Sequence, residues 1–231
     1  KEKLIAPNIK ALNIGYDYAS ENLNGSCEIK VNKSEKTKGM ILTSGNDASG
    51  LGCVYGGATV CSWYPITPST SLAEAFTDYS EKLRIEENTN KNKYAIIQAE
   101  DELAAIGMAI GANWNGARAF TATSGPGISL MSEFLGLAYF AEVPLVVFDI
   151  QRGGPSTGMP TRTQQSDILS CAYASHGDTK HVLLIPSDPK ECFEFAAEAF
   201  DLADRIQTPV IVLSDLDLGM NDWSCPEFEW D

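Results

Sequence analysis

What this sequence lacks narrows its chemistry before any motif is considered. None of its six cysteines stands in a C-x-x-C pair, and the nearest two, Cys53 and Cys61, lie eight residues apart. Zinc and iron–sulfur sites need clustered thiolates, so the spacing argues against either on this chain. Cys27, Cys53, Cys61, Cys171, Cys192 and Cys225 read instead as buried, reduced thiols of a cytoplasmic protein. Only two histidines occur, His176 and His181. They flank one turn with no nucleophile or metal ligand close in sequence, so both read as structural or surface residues. No Ser/His/Asp or Cys/His arrangement is evident. No signal peptide is expected, and the sequence has no apolar run of membrane-spanning length. Internal repeats and low-complexity segments are missing too.

Basic side chains are scarce. The formal net charge is −14, from 17 Lys and Arg against 31 Asp and Glu. Residues 1–38 hold seven of the lysines and five of the acids, so residues 39–231 set ten bases against twenty-six acids. Such a body repels phosphate backbones and anionic lipid, which excludes nucleic-acid and membrane partners. The chain starts at Lys1 and stops at Asp231 after CPEFEWD; both ends read as cuts or processed ends.

What is present divides at Gly39. Residues 1–38 are Lys- and Asn-rich, with a polar NLNGS turn and the run KVNKSEKTKG. They read as a linker or the tail of a preceding domain, with a short helix carrying Ile9, Leu12 and Tyr16 on one face. From Gly39 on, apolar strand-like runs alternate with helical patterns. The strands are expected at Tyr94–Ala99, Ala117–Thr123, Pro144–Ile150, His181–Pro186 and Pro209–Ser214, with weaker ones at Met40–Thr43 and Thr59–Ser62. Continuous apolar runs such as Val146–Phe148 belong in a parallel sheet covered on both faces. Leu72, Ala75, Phe76, Tyr79 and Leu83 fall at helical spacing. Asp188, Pro189 and Glu191 supply a helix cap, a first-turn proline and a capping acid ahead of Phe193–Ala203. The fold class is α/β, an open parallel sheet with helices on both faces.

Ligands of such sheets bind beyond the carboxyl ends of the strands. That rule selects the segments Tyr64–Ser71, Glu100–Glu102, Ser124–Gly127 and Gln151–Gln165, which also have unusual composition. In WYPITPST, prolines on either side stiffen Ile66–Thr67, so the Thr67 hydroxyl is either presented to a ligand or part of a rigid turn capped by Ser69 or Thr70. In QAEDE, Asp101 and Glu102 suit a helix start. Glu100, following an apolar strand, is either drawn inside, where a carboxylate exchanges a proton with a neighbouring base, or a third helix-start acid. TSGPG, ahead of a helix from Ile128, brings backbone close to a ring or anion, or simply turns; it is not a P-loop. In QRGGPSTGMPTRT, Arg152 suits a substrate carboxylate through paired hydrogen bonds, or pairs with one of the many acids.

Taken together and in order, YPITPST, QAEDE, TATSGPGISLMSE and DIQRGGPSTGMPT resemble the α subunit of 2-oxoacid:ferredoxin (acceptor) oxidoreductases, from about Gly39 to the end. The resemblance implies a pyrimidine-binding domain of the thiamine-diphosphate-binding fold over residues 39–231, preceded by the join to a γ-type domain. It implies that Glu100 contacts the aminopyrimidine and promotes loss of the thiazolium proton. It makes Glu100 both the catalytic and the cofactor-binding residue, and puts Thr67 and Arg152 on the substrate side. A 2-oxoacid would lose CO2, its electrons would pass to iron–sulfur clusters and ferredoxin, and coenzyme A would take the acyl group.

The sequence shows no G-D-G followed by Asn to bind Mg2+ and the diphosphate, and no cluster cysteines. The resemblance therefore implies a β-type partner supplying the diphosphate site, the Mg2+ and an iron–sulfur cluster, without which this chain is inactive. An acidic ferredoxin would dock on that partner. The favoured substrate is 2-oxoglutarate, with Arg162 a candidate for its distal carboxylate. Pyruvate or another 2-oxoacid, or a non-catalytic assembly module that keeps the fold, are the alternatives.

Overall fold

The computed structural model describes residues 2–23, 25, 29 and 31–230. Cys27 and parts of the NLNGS turn and of KVNKSEKTKG lie outside the described residues. The chain forms two units, residues 1–38 and residues 39–231. The first is dominated by helix α1, Glu2–Asn22, where the sequence suggested only a short helix. Ile9, Leu12 and Tyr16 are exposed, as are Leu4, Ile5 and Tyr18.

In the second unit the elements are β1 (Met40–Thr43), α2 (Gly45–Tyr55), β2 (Val60–Trp63), α3 (Thr70–Leu83), β3 (Ala95–Gln98), α4 (Glu102–Trp114), β4 (Ala119–Thr123) and α5 (Gly125–Phe140). They continue as β5 (Leu145–Gln151), α6 (Ile168–Tyr173), β6 (Val182–Leu184), α7 (Pro189–Ile206), β7 (Pro209–Asp215), α8 (Leu216–Met220) and β8 (Trp223–Pro226). Six strands make one parallel sheet in the order β3-β2-β4-β5-β7-β6. Met40–Thr43 is not part of it; β1 pairs antiparallel with β8, Met40 opposite Pro226.

Alternation along the strands builds a core on each face, because successive side chains point to opposite sides. Phe120, Val146, Phe148, Ile150, Val210 and Val212 pack with Cys53 and Val54 of α2, Phe76 of α3 and Phe200 of α7. Ala119, Leu145, Val147, Ile211 and Leu213 pack with Ile106 of α4, Leu135 of α5 and Cys171 of α6. Helices thus cover both faces, as the unbroken apolar runs of β5 and β7 required. The expected cap on Asp188 is present, its Oδ1 accepting from Glu191 N at 2.9 Å.

Helix α2 has no apolar periodicity to announce it. Its glycines serve close packing: a Cβ on Gly50 would sit 2.8 Å from the Ala75 methyl of α3, and one on Gly52 would collide with the Phe193 carbonyl of α7. Ser44 caps it, its Oγ accepting from Asp47 N at 3.1 Å.

Two apolar runs turned out to be sheet edges. β6 is short and only half-buried. β3 is largely exposed, with Ile97 at 39%. Apolar composition was a poor guide to depth here because an edge strand has a neighbour on one side only.

Candidate functional site

Because all six strands are parallel, their carboxyl ends share one edge of the sheet. Trp63 of β2 lies opposite Gln98 of β3, Thr123 of β4 opposite Asp149 of β5, and Gln151 of β5 opposite Asp215 of β7. The segments that follow these residues, selected in the sequence for their composition, leave the sheet along this edge. The chain reverses its direction of strand addition between β2 and β4, which is where a crevice opens in such folds.

The loop after β2 carries Thr67, which is exposed. Ser69 and Thr70 do not cap α3; both hydroxyls donate to Ile66 O, at 3.0 and 3.3 Å, so the loop closes on itself. The Thr67–Pro68 peptide bond is cis. Asn46, fully buried in the first turn of α2, reaches into this loop and donates to Pro68 O at 2.9 Å and to Ser71 Oγ at 2.8 Å.

After β3, Asp101 caps α4, its Oδ1 accepting from Ala104 N at 2.7 Å. Glu102 begins that helix and is buried. Glu100 is exposed, and its carboxylate has no hydrogen-bond or ion-pair partner among the described residues. Of the two alternatives for Glu100, being drawn inside therefore fails: the strand before it is an edge strand, and no described residue of this chain closes over it.

After β4 the helix begins at Gly125, three residues earlier than Ile128, so TSGPG is a helix start rather than a turn. Ser124 Oγ is buried without a partner among the described residues. A Cβ on Gly127 would collide with Thr123 Oγ1 and lie 3.0 Å from Glu102 Cγ. The glycine is what lets α5 pass so close to β4 and α4.

After β5, Arg152 is buried at 3% exposure, and its backbone bridges antiparallel to Thr163. One guanidinium nitrogen, Nη2, donates to Ser156 O at 2.9 Å, while Nε is buried without a partner among the described residues. Arg152 makes no ion pair among the described residues, which removes the alternative of pairing with a neighbouring acid. Arg162, further along the loop, is exposed.

Beneath these loops lies a layer of buried polar groups that the sequence reading did not single out. Asp149 is wholly buried on β5 and accepts a hydrogen bond from the Cys171 thiol of α6 at 3.4 Å. Burial pushes its carboxyl well above the usual range, and the nearby Asp167 pushes it further. Burial also raises Asp167, against a hydrogen bond from Ser166. The Cys171 thiol is held far above its ordinary range, first by burial and then by Asp149, so it is a poor nucleophile. Gln151 Oε1 accepts from Asp167 N at 3.2 Å, and Asp215 Oδ2 accepts from Gln165 Nε2 at 2.6 Å. These pairs fasten the far end of the Arg152 loop to β5 and β7. A signal for Asp149 existed, a charge inside the apolar run LVVFDIQ. Asn46 gave none.

The other features lie elsewhere. An open hollow of about 570 Å³ beside Trp114, Arg118 and Asp204 is at the amino edge of the sheet. Its arginine is already engaged by Asp201 at 2.7 Å, Asp204 at 2.8 Å and Gly56 O at 2.7 Å. His181 is buried with Nε2 2.8 Å from Ala174 O, and His176 stacks on Phe140, so both histidines are structural. Cys53, Cys61, Cys171, Cys192 and Cys225 are buried and unpaired. Among the described residues, no helix is long and apolar enough to cross a membrane.

Comparison with known proteins places the chain in a family. Residues 51–224 match the model described as "pyruvate flavodoxin/ferredoxin oxidoreductase, thiamine diP-binding". The chain is 46% identical over 175 residues to 2-oxoglutarate synthase subunit KorA of Methanothermobacter marburgensis, covering 76% of this chain and 44% of that protein. It is 42% identical over 221 residues to the α subunit of 2-oxoacid:ferredoxin oxidoreductase 2 of Aeropyrum pernix, covering 93% and 34%. Among solved structures, it superposes with a TM-score of 0.84 and 38% identity on the 2-oxoglutarate:ferredoxin oxidoreductase from Magnetococcus marinus. That structure holds 2-oxoglutarate, coenzyme A and succinyl-CoA, and the match covers 99% of this chain and 38% of the other. The chain thus spans less than half the length of each of these relatives.

Proposed function

The chain belongs to the pyruvate flavodoxin/ferredoxin oxidoreductase family, in its thiamine-diphosphate-binding part, and from that premise we propose that it is the pyrimidine-binding portion of the α-type subunit of a 2-oxoacid:ferredoxin oxidoreductase. The observation that carries the reading is the rim itself: one sheet edge gathers the Thr67, Glu100 and Arg152 segments and leaves Glu100 exposed and unpartnered.

The residues present fit thiamine diphosphate. A free carboxylate at the rim suits a ring nitrogen of the aminopyrimidine, and Glu100 would accept a hydrogen bond from that nitrogen. Bound there, the cofactor supplies the electron sink for cleaving the bond between the carboxylate and the 2-oxo carbon. Arg152 receives the substrate carboxylate. Its guanidinium is anchored on one side by Ser156 O and presents an unpartnered buried Nε, so little ordering remains to be done on binding. The Thr67 hydroxyl, on a loop stiffened by Pro65 and Pro68, completes the substrate side.

A β-type partner would bring the diphosphate site, the Mg2+, an iron–sulfur cluster and the docking place for ferredoxin, with coenzyme A as acyl acceptor. Two observations support a partner. Glu100 lacks a cover among the described residues, and helices α4 and α5 beside it carry exposed Leu103, Met108, Trp114, Leu130, Leu137 and Phe140. Apolar surface of this extent marks a protein contact.

For the substrate we favour 2-oxoglutarate over pyruvate. The named activities of the relatives from Methanothermobacter marburgensis and Magnetococcus marinus support this, and exposed Arg162 is the candidate for the distal carboxylate. The test is to purify the complete protein with its partner subunit and assay several 2-oxoacids with coenzyme A and a viologen acceptor. Reduction should be fastest with 2-oxoglutarate. A preference for pyruvate would overturn the substrate, and no reduction with any 2-oxoacid would overturn the activity.

A further inference from the structure

We propose that Asn46 is a positioning residue that holds the Thr67 loop at the substrate side of the site. The inference rests on the assignment of Thr67 made above and adds the group that acts through it. Asn46 lies in the first turn of α2, 22 residues before Pro68, and is 0% exposed. A primary amide has two N–H donors. One donates to the carbonyl of Pro68, the residue directly after Thr67, and the other to the hydroxyl of Ser71 in the first turn of α3.

Among the described residues, the other side-chain hydrogen bonds of the loop close within it. Ser69 and Thr70 hydroxyls donate to Ile66 O, and Ile66 N donates to Thr70 Oγ1 at 3.1 Å. Among the described residues, the two Asn46 bonds are the only hydrogen bonds that tie loop 64–71 to an element other than α3. A small knotted loop with one external anchor takes its position from that anchor.

Asn46 is itself clamped from behind. A Cβ on Gly219 of α8 would come within 2.8 Å of Asn46 Oδ1, and one on Gly45 within 2.6 Å of Leu218 O. Helix α8 is fixed by Asp215, whose Oδ1 accepts from Leu218 N at 2.9 Å and whose Oδ2 accepts from Gln165 at the end of the Arg152 loop. The same short helix therefore backs both substrate-side loops, with Asn46 the link to one and Asp215 the link to the other. An aspartate or alanine at position 46 would lose both donations, and a buried donor pair of this kind has no substitute nearby.

The test uses the complete enzyme assembled with its partner subunit. Four variants are compared: Asn46→Ala, Ser71→Ala, Thr67→Ala and the double variant Asn46→Ala/Thr67→Ala. Asn46→Ala should raise the KM for the 2-oxoacid about tenfold, as a loop displaced by a fraction of an ångström does, with the thiamine diphosphate requirement unchanged. Ser71→Ala, which removes one of the two ties without touching the buried amide, should give a smaller rise and keeps the test open if Asn46→Ala does not fold. The double variant should be no worse than Thr67→Ala, since Asn46 acts through Thr67. A normal KM in both the Asn46 and Ser71 variants, or losses that multiply in the double variant, would overturn the inference and leave the site reading standing. Thr67→Ala with unchanged kinetics would remove Thr67 from the site and overturn both.

Discussion

The two helical layers that sandwich the sheet end differently at water. On one side, α3 turns Glu74, Asp78 and Glu81 outward, and α7 does the same with Glu198, Asp201 and Arg205. Each is apolar inward and charged outward, as a helix that ends at solvent should be. On the other side, the only charged residues from Leu103 to Ala141 are Arg118 and Glu133. Helices α4 and α5 are apolar nearly all round, with Trp114 64% and Phe140 62% exposed. Such helices are normally covered. The amino ends of these same two helices carry Glu100–Glu102 and Ser124–Gly127. The charge-poor layer and the open rim are therefore one continuous feature, and the difference between the layers is what the proposed reading explains by a site finished outside this chain.

The sharpest way to break the comparison is through glycines. In the charged layer, Gly52→Ala pushes α2 off α7, because the new methyl meets the Phe193 carbonyl and lies 2.8 Å from the Ala196 methyl. Overpacking of this kind costs about 1–3 kcal/mol, read as a lowered denaturation midpoint. The layers also differ beneath their helices. Asp149 faces α6, whereas its strand neighbours Phe148 and Ile150 face the other core with no acid beside them. Burial, then Asp167, holds the Asp149 carboxyl above its unfolded value. The stability it contributes is complete below the unfolded carboxylate range and is lost as pH rises through the folded pKa. Wild type should gain stability relative to Asp149→Asn on acidification from neutral pH; parallel melting curves across that range would contradict the assignment.

Smaller effects test the open layer. Gly111 in α4 has nothing within 4 Å of a Cβ and a helical conformation. Gly111→Ala should therefore stabilise the chain by about 0.5–1 kcal/mol, the reverse of Gly52→Ala. Leu137→Lys on the exposed face of α5 should shift stability by no more than about 0.5 kcal/mol, while weakening co-purification with the partner. An unchanged yield of complex would detach that part of the face from the contact.

Much of this fold was legible because β4, β5 and β7 are apolar on both faces and Asp188-Pro189-x-Glu191 is a cap written in sequence. Helix α2 was not, since Gly45, Gly50 and Gly52 read as breakers; tertiary contact with α3 and α7 outweighs their propensity. The length of α1 and the strand β8 also went unread, the latter because only its distant partner Met40–Thr43 makes it a strand. At the rim, loop composition and strand-end logic selected the segments that carry Thr67, Glu100 and Arg152, while the role of each residue came only from the resemblance. Their depth was misjudged for Glu100, because an apolar run does not say whether its strand is central or at an edge. Of the supporting residues, Asp149 left a trace as a charge inside an apolar run, but the partners of Asn46, Asp149 and Asp215 were illegible for a common reason. Their partners lie 18 to 50 residues away, and no local pattern encodes such pairings.

The central claim is that Glu100 activates the cofactor at a rim that a partner completes. Its most direct test is Glu100→Gln in the assembled complex, which preserves shape and removes the carboxylate. Decarboxylation of the 2-oxoacid should fall by about a thousandfold or more with subunit association intact. Near-normal turnover by that variant would contradict the account.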